Sequence, residues 1–138
     1  MADMAQPQDR AGSVRVLVVD DERPTRLLME KELPRAGYAV TTAESGEEAL
    51  EQVRSRDFDV ILLDLSLPDS HGLDTIAHLS ETMPQLPLVV LTALTDEKVA
   101  PEAVRRGAQD YLVKGQIDPR GLARTIGYAI DRKKAQVV

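Results

Sequence analysis

Five short runs rich in β-branched and aliphatic residues alternate with five longer amphipathic stretches, and this alternation limits the fold more than any other feature. Val14 to Val19 (VRVLVV), Phe58 to Leu63 (FDVILL) and Leu88 to Leu91 (LVVL) have almost no polar break. Such runs suit parallel strands buried on both faces. Tyr38 to Ala43 (YAVTTA) and Asp110 to Val113 (DYLV) are more polar, which predicts positions nearer the sheet edges.

The intervening stretches carry helix signals. Pro24 to Ala36 carries Leu27, Leu28 and Leu33, with charges elsewhere; Pro34 should loosen the last turn, and Gly37 ends it. Ser45 with Glu48 forms a capping box that opens a helix to about Arg56. Leu73, Ile76, Ala77 and Leu79 mark a third helix, stopped by Pro84. Glu97 to Arg106 gives a fourth, closed by Gly107. Asp118 as N-cap and Pro119 at the first helical position open a fifth, with Leu122, Ile126, Ala129 and Ile130 on one face and an extension to about Gln136.

A β-α unit repeated five times, with right-handed crossovers, predicts an α/β fold: an open, doubly wound, five-stranded parallel sheet with helices on both sides. The expected organisation is a polar leader over residues 1–13, read as disordered, and one domain over residues 14–138 with an extended C-terminal helix. The leader lacks the apolar segment of a secretory signal, and no apolar run approaches the ~18 residues of a membrane span. The chain has no cysteine, which excludes disulfides, thiolate metal sites and cysteine nucleophiles. A net charge of −6 argues against general nucleic-acid binding. The one basic cluster, Arg132, Lys133 and Lys134, fits the last turn of a helix, where cations meet the dipole.

In doubly wound sheets ligands bind beyond the carboxyl ends of the strands. Asp20 and Asp21 follow the first strand, Asp64 the third, Thr92 the fourth and Lys114 the fifth, so the fold gathers them on one rim. Three carboxylates held together call for a hard divalent cation with oxygen ligands, Mg²⁺ being the natural candidate. Lys114 adds a fixed positive charge and Thr92 a hydroxyl donor. Phosphoryl transfer needs little more than such positioning and charge stabilisation, and an aspartate can serve as its covalent nucleophile. Asp64 ranks first as nucleophile because it stands alone at the end of the central run. Asp21 could reach a metal directly with Asp20 acting through water, or it could simply cap the helix near Pro24.

These residues fall in the segments VLVVDDE (Val16 to Glu22), VILLDLSLPDSHGLD (Val60 to Asp74), LVVLTAL (Leu88 to Leu94) and GAQDYLVKG (Gly107 to Gly115). With them the chain resembles the receiver domains of two-component response regulators, with their chemotaxis-regulator-like (flavodoxin-like) fold. The resemblance implies that Asp64 is the phosphoacceptor. It implies that Asp20, Asp21, Asp64 and the backbone carbonyl of Ser66 hold Mg²⁺. It implies further that Lys114 contacts the phosphoryl group, that Thr92 is the switch hydroxyl, that Tyr111 is the rotating aromatic, and that Ala93 keeps access open. The implied donor is a sensor histidine kinase or a histidine phosphotransfer protein. The implied target is a downstream protein or a C-terminal output domain, with homodimerisation a further option and a cytoplasmic setting.

Two departures stand out. Such receivers usually carry proline after the lysine, where this chain has Gly115; the expectation is a looser loop and a less firmly placed Lys114. Pro101 falls inside the fourth helical stretch, so that helix should begin only around Ala100 or kink. The resemblance implies that Ser66 and Leu94, two residues beyond Asp64 and Thr92, occupy positions that tune dephosphorylation; Leu94 offers no polar group to orient water, so slow hydrolysis is expected. His71 and His78 are expected at the surface. Two rivals remain: a binding or dimerisation module that works without phosphorylation, and a phosphatase of the haloacid-dehalogenase type. The latter needs Asp-x-Asp after the first strand, where this chain has Asp20-Asp21-Glu22.

Overall fold

The computed structural model describes residues 13–67, 72–93 and 98–136. His71 and Leu94 lie outside these residues, as does nearly all of the leader. The elements alternate as the sequence predicts: β1 (Val14–Val19), α1 (Arg23–Arg35), β2 (Tyr38–Ala43), α2 (Gly46–Ser55), β3 (Val60–Asp64), α3 (Gly72–Thr82), β4 (Leu88–Thr92), α4 (Ala100–Arg105), β5 (Asp110–Val113) and α5 (Pro119–Gln136). All strand pairs are parallel, in the order β2-β1-β3-β4-β5. The two polar strands are therefore the edges.

Side chains alternate across the central strands, and each set has its own helices. Leu17, Val19, Ile61, Leu63, Leu88 and Val90 pack with Ala49 and Val53 of α2, Ile76 and Leu79 of α3 and Ala103 of α4. Val16, Val18, Val60, Leu62, Val89 and Leu91 pack with Met29 and Leu33 of α1 and Leu122, Ile126 and Ala129 of α5. Burial on both faces explains why β1, β3 and β4 carry so few polar residues.

The helix ends follow local chemistry. Ser45 Oγ accepts the Glu48 N–H at 3.1 Å, and Asp118 Oδ2 accepts the Gly121 N–H at 3.0 Å. Pro101 falls in the first turn of α4, so the helix begins at Ala100 and is only six residues long. Pro34 sits in the last turn of α1, where Ala36 N–H tightens onto the Leu33 carbonyl at 3.0 Å and Gly37, at φ +89°, ends the helix. At the end of α5 Lys133 and Lys134 lie in the last turn, and Arg132 just before them donates to the Gln109 carbonyl at 2.9 Å.

The apolar residues of α1 do not all share one face. Leu27 and Leu28 are exposed, and Met29 takes the core position beside Leu33. At 100° per residue Met29 and Leu33 fall within about 40° of each other, whereas Leu27 and Leu28 face well away from Leu33.

Candidate functional site

The parallel register brings the C-terminal ends of β1, β3, β4 and β5 to one rim. Asp20, just beyond β1, is fully buried, and its N–H donates to the Ala43 carbonyl at 3.0 Å. Its Oδ1 accepts the Glu22 N–H at 2.8 Å, and its carbonyl accepts the Arg26 guanidinium at 2.9 Å. Asp64, the last residue of β3, is buried too, and its Oδ1 accepts the Ser66 N–H at 2.9 Å. Asp21 is exposed at the mouth. One carboxylate oxygen from each of Asp20, Asp21 and Asp64 falls within 4.8 Å of the others.

Lys114 reaches into this group. Its Nζ lies 2.7 Å from Asp20 Oδ2, 3.2 Å from Asp64 Oδ2 and 2.6 Å from Glu22 Oε1. The Glu22 contact is an aligned hydrogen bond. Among the described residues Asp20 Oδ2 and Asp64 Oδ2 have no aligned donor, so their contacts with Lys114 are ionic, and two buried carboxylate oxygens keep unused acceptor capacity. Buried oxygens of this kind suit a hard cation such as Mg²⁺, and a charge-rich cluster containing them fits it chemically.

The charges perturb one another. Burial pushes the Asp64 carboxyl up to about 6; the Ser66 N–H pulls it down, the Asp20 charge raises it again, and Lys114 lowers it. For Lys114 burial opposes the charged form, but Asp20, Glu22 and Asp64 outweigh it and hold the ammonium above its ordinary range.

Lys114 is fixed at the backbone as well. Its N–H donates to the Thr92 carbonyl at 2.8 Å, and Gln116 N–H closes a turn onto the Val113 carbonyl at 3.1 Å. Gly115 takes φ +86° in that turn, a value closed to proline and unfavourable for any residue with a Cβ. The loop after Lys114 is therefore a closed turn built on glycine. Gly72 has a different job: a Cβ there would strike the Leu65 backbone, so its lack of a side chain lets α3 start against the loop that follows Asp64.

Thr92 is buried, with its hydroxyl 3.5 Å from the Leu112 carbonyl on the β5 side. Tyr111 lies on edge strand β5 with 37% of its surface exposed. Ala93 is half-buried, and Ser66 and His78 are exposed. Asp21 does not cap α1; Glu22 stands at the N-cap position and makes no side-chain cap bond. Sequence reasoning missed Glu22 and Arg26. The run Asp20-Asp21-Glu22 held the signal for the first; nothing in periodicity or spacing marks the second.

A family model described as "Response regulator receiver domain" matches residues 16–126. The chain is 37% identical over 102 residues to the transcriptional regulatory protein ZraR of Escherichia coli O157:H7, covering 74% of this chain and 23% of that protein. It is 39% identical over 99 residues to the DNA-binding transcriptional regulator NtrC of Escherichia coli K12, covering 72% and 21%. The chain thus spans less than a quarter of the length of these curated relatives. Among solved structures, a response regulator receiver domain protein from Clostridium thermocellum superposes with TM-score 0.81 at 30% identity, over 89% of this chain and 98% of that one. NtrX from Brucella abortus gives TM-score 0.83 at 28% identity, over 90% and 28%.

Proposed function

This chain belongs to the receiver domains of two-component response regulators, and from that premise we propose that Asp64 is its phosphoacceptor and that the added charge switches a protein-interaction surface. The observation that carries the reading is the state of Asp64: a buried carboxylate whose Oδ2 meets Lys114 only through charge and has no aligned hydrogen-bond donor among the described residues, beside two further aspartates.

The proposed step is an in-line displacement. An Asp64 carboxylate oxygen attacks the phosphorus of a phosphohistidine, the P–N bond breaks, and the imidazole leaves with the bonding pair and is protonated. Asp20, Asp21, Asp64 and the Ser66 carbonyl would hold Mg²⁺, which supplies charge neutralisation between the nucleophile and the phosphoryl oxygens. Lys114 stabilises a phosphoryl oxygen, and the Ser66 N–H keeps the Asp64 carboxylate oriented. Thr92 then turns its hydroxyl from β5 toward the phosphoryl group, and Tyr111 follows into the vacated space.

The chemistry is confined to the protein itself: phosphorylation of Asp64 and its slow hydrolysis. The donor is a sensor histidine kinase or a histidine phosphotransfer protein. The readout is contact with a downstream protein, a C-terminal output domain or a second copy of the chain. Residues 14–138 form the proposed receiver unit, and the proposed setting is the cytoplasm; no helix among the described residues is long and apolar enough to cross a membrane. The family match does not favour a module that works without phosphorylation.

Intact mass after incubation with acetyl phosphate and Mg²⁺ tests the reading. Wild type should gain about one phosphoryl group, Asp64→Ala none, and EDTA should abolish the gain. An unmodified wild type would overturn it.

A further inference from the structure

The helix N-cap position favours Ser, Thr, Asp or Asn, whose short side chains accept an N–H of the first turn. α1 has Glu22 there, and the Glu22 side chain makes no such bond. It reaches across the rim instead, and its carboxylate accepts from Lys114 Nζ at 2.6 Å. Its backbone is fixed on both sides: its N–H lies on Asp20 Oδ1 at 2.8 Å, and its carbonyl accepts the Arg26 N–H at 3.2 Å. The Glu22 side chain is 59% exposed, whereas that of Lys114 is 15% exposed and that of Asp20 is fully buried.

Lys114 thus stands between two sets of anions. On the inner side are Asp20 Oδ2 and Asp64 Oδ2, the same buried oxygens that lack an aligned donor. On the outer side is Glu22. An ammonium and a divalent cation compete for the inner oxygens, because like charges held close together in a partly buried site repel. A cation on those oxygens therefore drives the ammonium outward, toward Glu22. The stem is anchored by the Lys114 N–H on the Thr92 carbonyl and by the turn at Gly115, so only the far end of the side chain can swing.

We propose that Glu22 is a positioning residue that receives the Lys114 ammonium when a divalent cation occupies the aspartate cluster, keeping the lysine at the rim and ready for a phosphoryl oxygen. The inference deepens the receiver reading and rests on it. Without Glu22 the lysine would settle wholly on Asp20 and Asp64 and compete with the cation; with Glu22 the exchange is between two paired states.

The test is a double-mutant cycle on Mg²⁺ affinity, measured by calorimetry on the unphosphorylated protein at physiological ionic strength, with Glu22→Gln, Lys114→Met and the double variant. Glu22→Gln should weaken Mg²⁺ binding about fivefold or more. Lys114→Met should tighten it. In the Lys114→Met background, Glu22→Gln should change the affinity less than twofold, because no displaced ammonium remains to be received. Thermal melts of the metal-free variants check that each is folded; Glu22 is exposed enough for the single variant to fold as wild type does. Equal weakening in both backgrounds would reduce Glu22 to a remote negative charge and overturn the proposal, as would unchanged affinity in the single variant. If wild type binds Mg²⁺ and gains a phosphoryl group while the cycle shows no coupling, this inference alone fails. If wild type does neither, the receiver chemistry itself fails.

Discussion

Asp64 Oδ2 and Lys114 Nζ lie 3.2 Å apart, joining the ends of β3 and β5 across the intervening β4. Burial opposes the charged form of both groups. Burial drives the Asp64 carboxyl toward its neutral form while the ammonium draws it back. The balance is one that a cation or a phosphoryl group can tip, and several consequences can be measured.

Removing the ammonium should expose that balance. In metal-free protein Lys114→Met leaves two buried carboxylates facing each other without a counter-charge. Truncating one partner of a fully buried pair costs ~3–5 kcal/mol; because this lysine sits at the rim, the expected loss is about 1–2 kcal/mol. Mg²⁺ should restore much of it. Urea unfolding with EDTA and with saturating Mg²⁺ reads both values, and equal stabilities in EDTA would contradict the ionic role of Lys114.

The pH dependence follows from Asp64. Its pKa is about 6 in the folded protein, above the ordinary 3.8, so between these values the folded state binds more proton than the unfolded state. This contribution to stability is fully present below about pH 4, is lost as pH rises through 6, and stays lost above. Asp64→Asn keeps an acceptor for the Ser66 N–H and removes the charge. It should therefore stabilise the metal-free protein at pH 7 by on the order of 1 kcal/mol, discounted for solvent screening at the rim, and the gain should shrink as pH falls toward 4. Denaturation midpoints at pH 7.5 and pH 5 decide this; a gain independent of pH would rule out Asp64 ionisation as its source.

The glycine turn gives a backbone test. Gly115 sits at φ +86° with open space where a Cβ would go, so Gly115→Ala meets only the conformational cost, about 1 kcal/mol. Gly72→Ala is different in kind: the new Cβ collides with the Leu65 backbone, and the loop after Asp64 has to shift. It should cost more, about 2–3 kcal/mol, and slow phosphorylation of Asp64 as well. Chemical unfolding of the two variants, with acetyl phosphate labelling rates beside it, separates conformational strain from a displaced site.

These contrasts also mark what the amino-acid sequence could reveal. β1, β3 and β4 were legible because burial on both faces leaves no room for polar residues, and Asp20, Asp64 and Lys114 were legible because parallel topology sends strand ends to one rim. Leu27 and Leu28 are exposed because hydrophobicity alone does not fix which face of a helix packs; Met29 and Leu33 share a core with residues of β1, β3, β4 and α5. The grip of Glu22 on Lys114 depends on side-chain reach between two loops distant in sequence, and spacing carries no trace of that. The Gly115 turn was visible as a departure from a pattern, but its φ and its closing hydrogen bond belong to the folded chain.

Thr92 offers the sharpest test of the switch. Its hydroxyl is at the outer limit of hydrogen-bond distance from the Leu112 carbonyl, 3.5 Å, in a buried position. Such a contact contributes little, and valine fills nearly the same volume, so Thr92→Val should change stability by less than ~1 kcal/mol. Phosphorylation of Asp64 should persist, because the nucleophile, the aspartates and Lys114 are untouched. What should disappear is the response of Tyr111, which is part-exposed on β5 two residues beyond the loop that ends α4. Ring resonances of Tyr111, followed by NMR before and after acetyl phosphate with Mg²⁺, should shift in wild type and stay in place in the phosphorylated variant. An equal shift in both would detach Tyr111 from Thr92 and leave the added charge to act on the β5 face by another route.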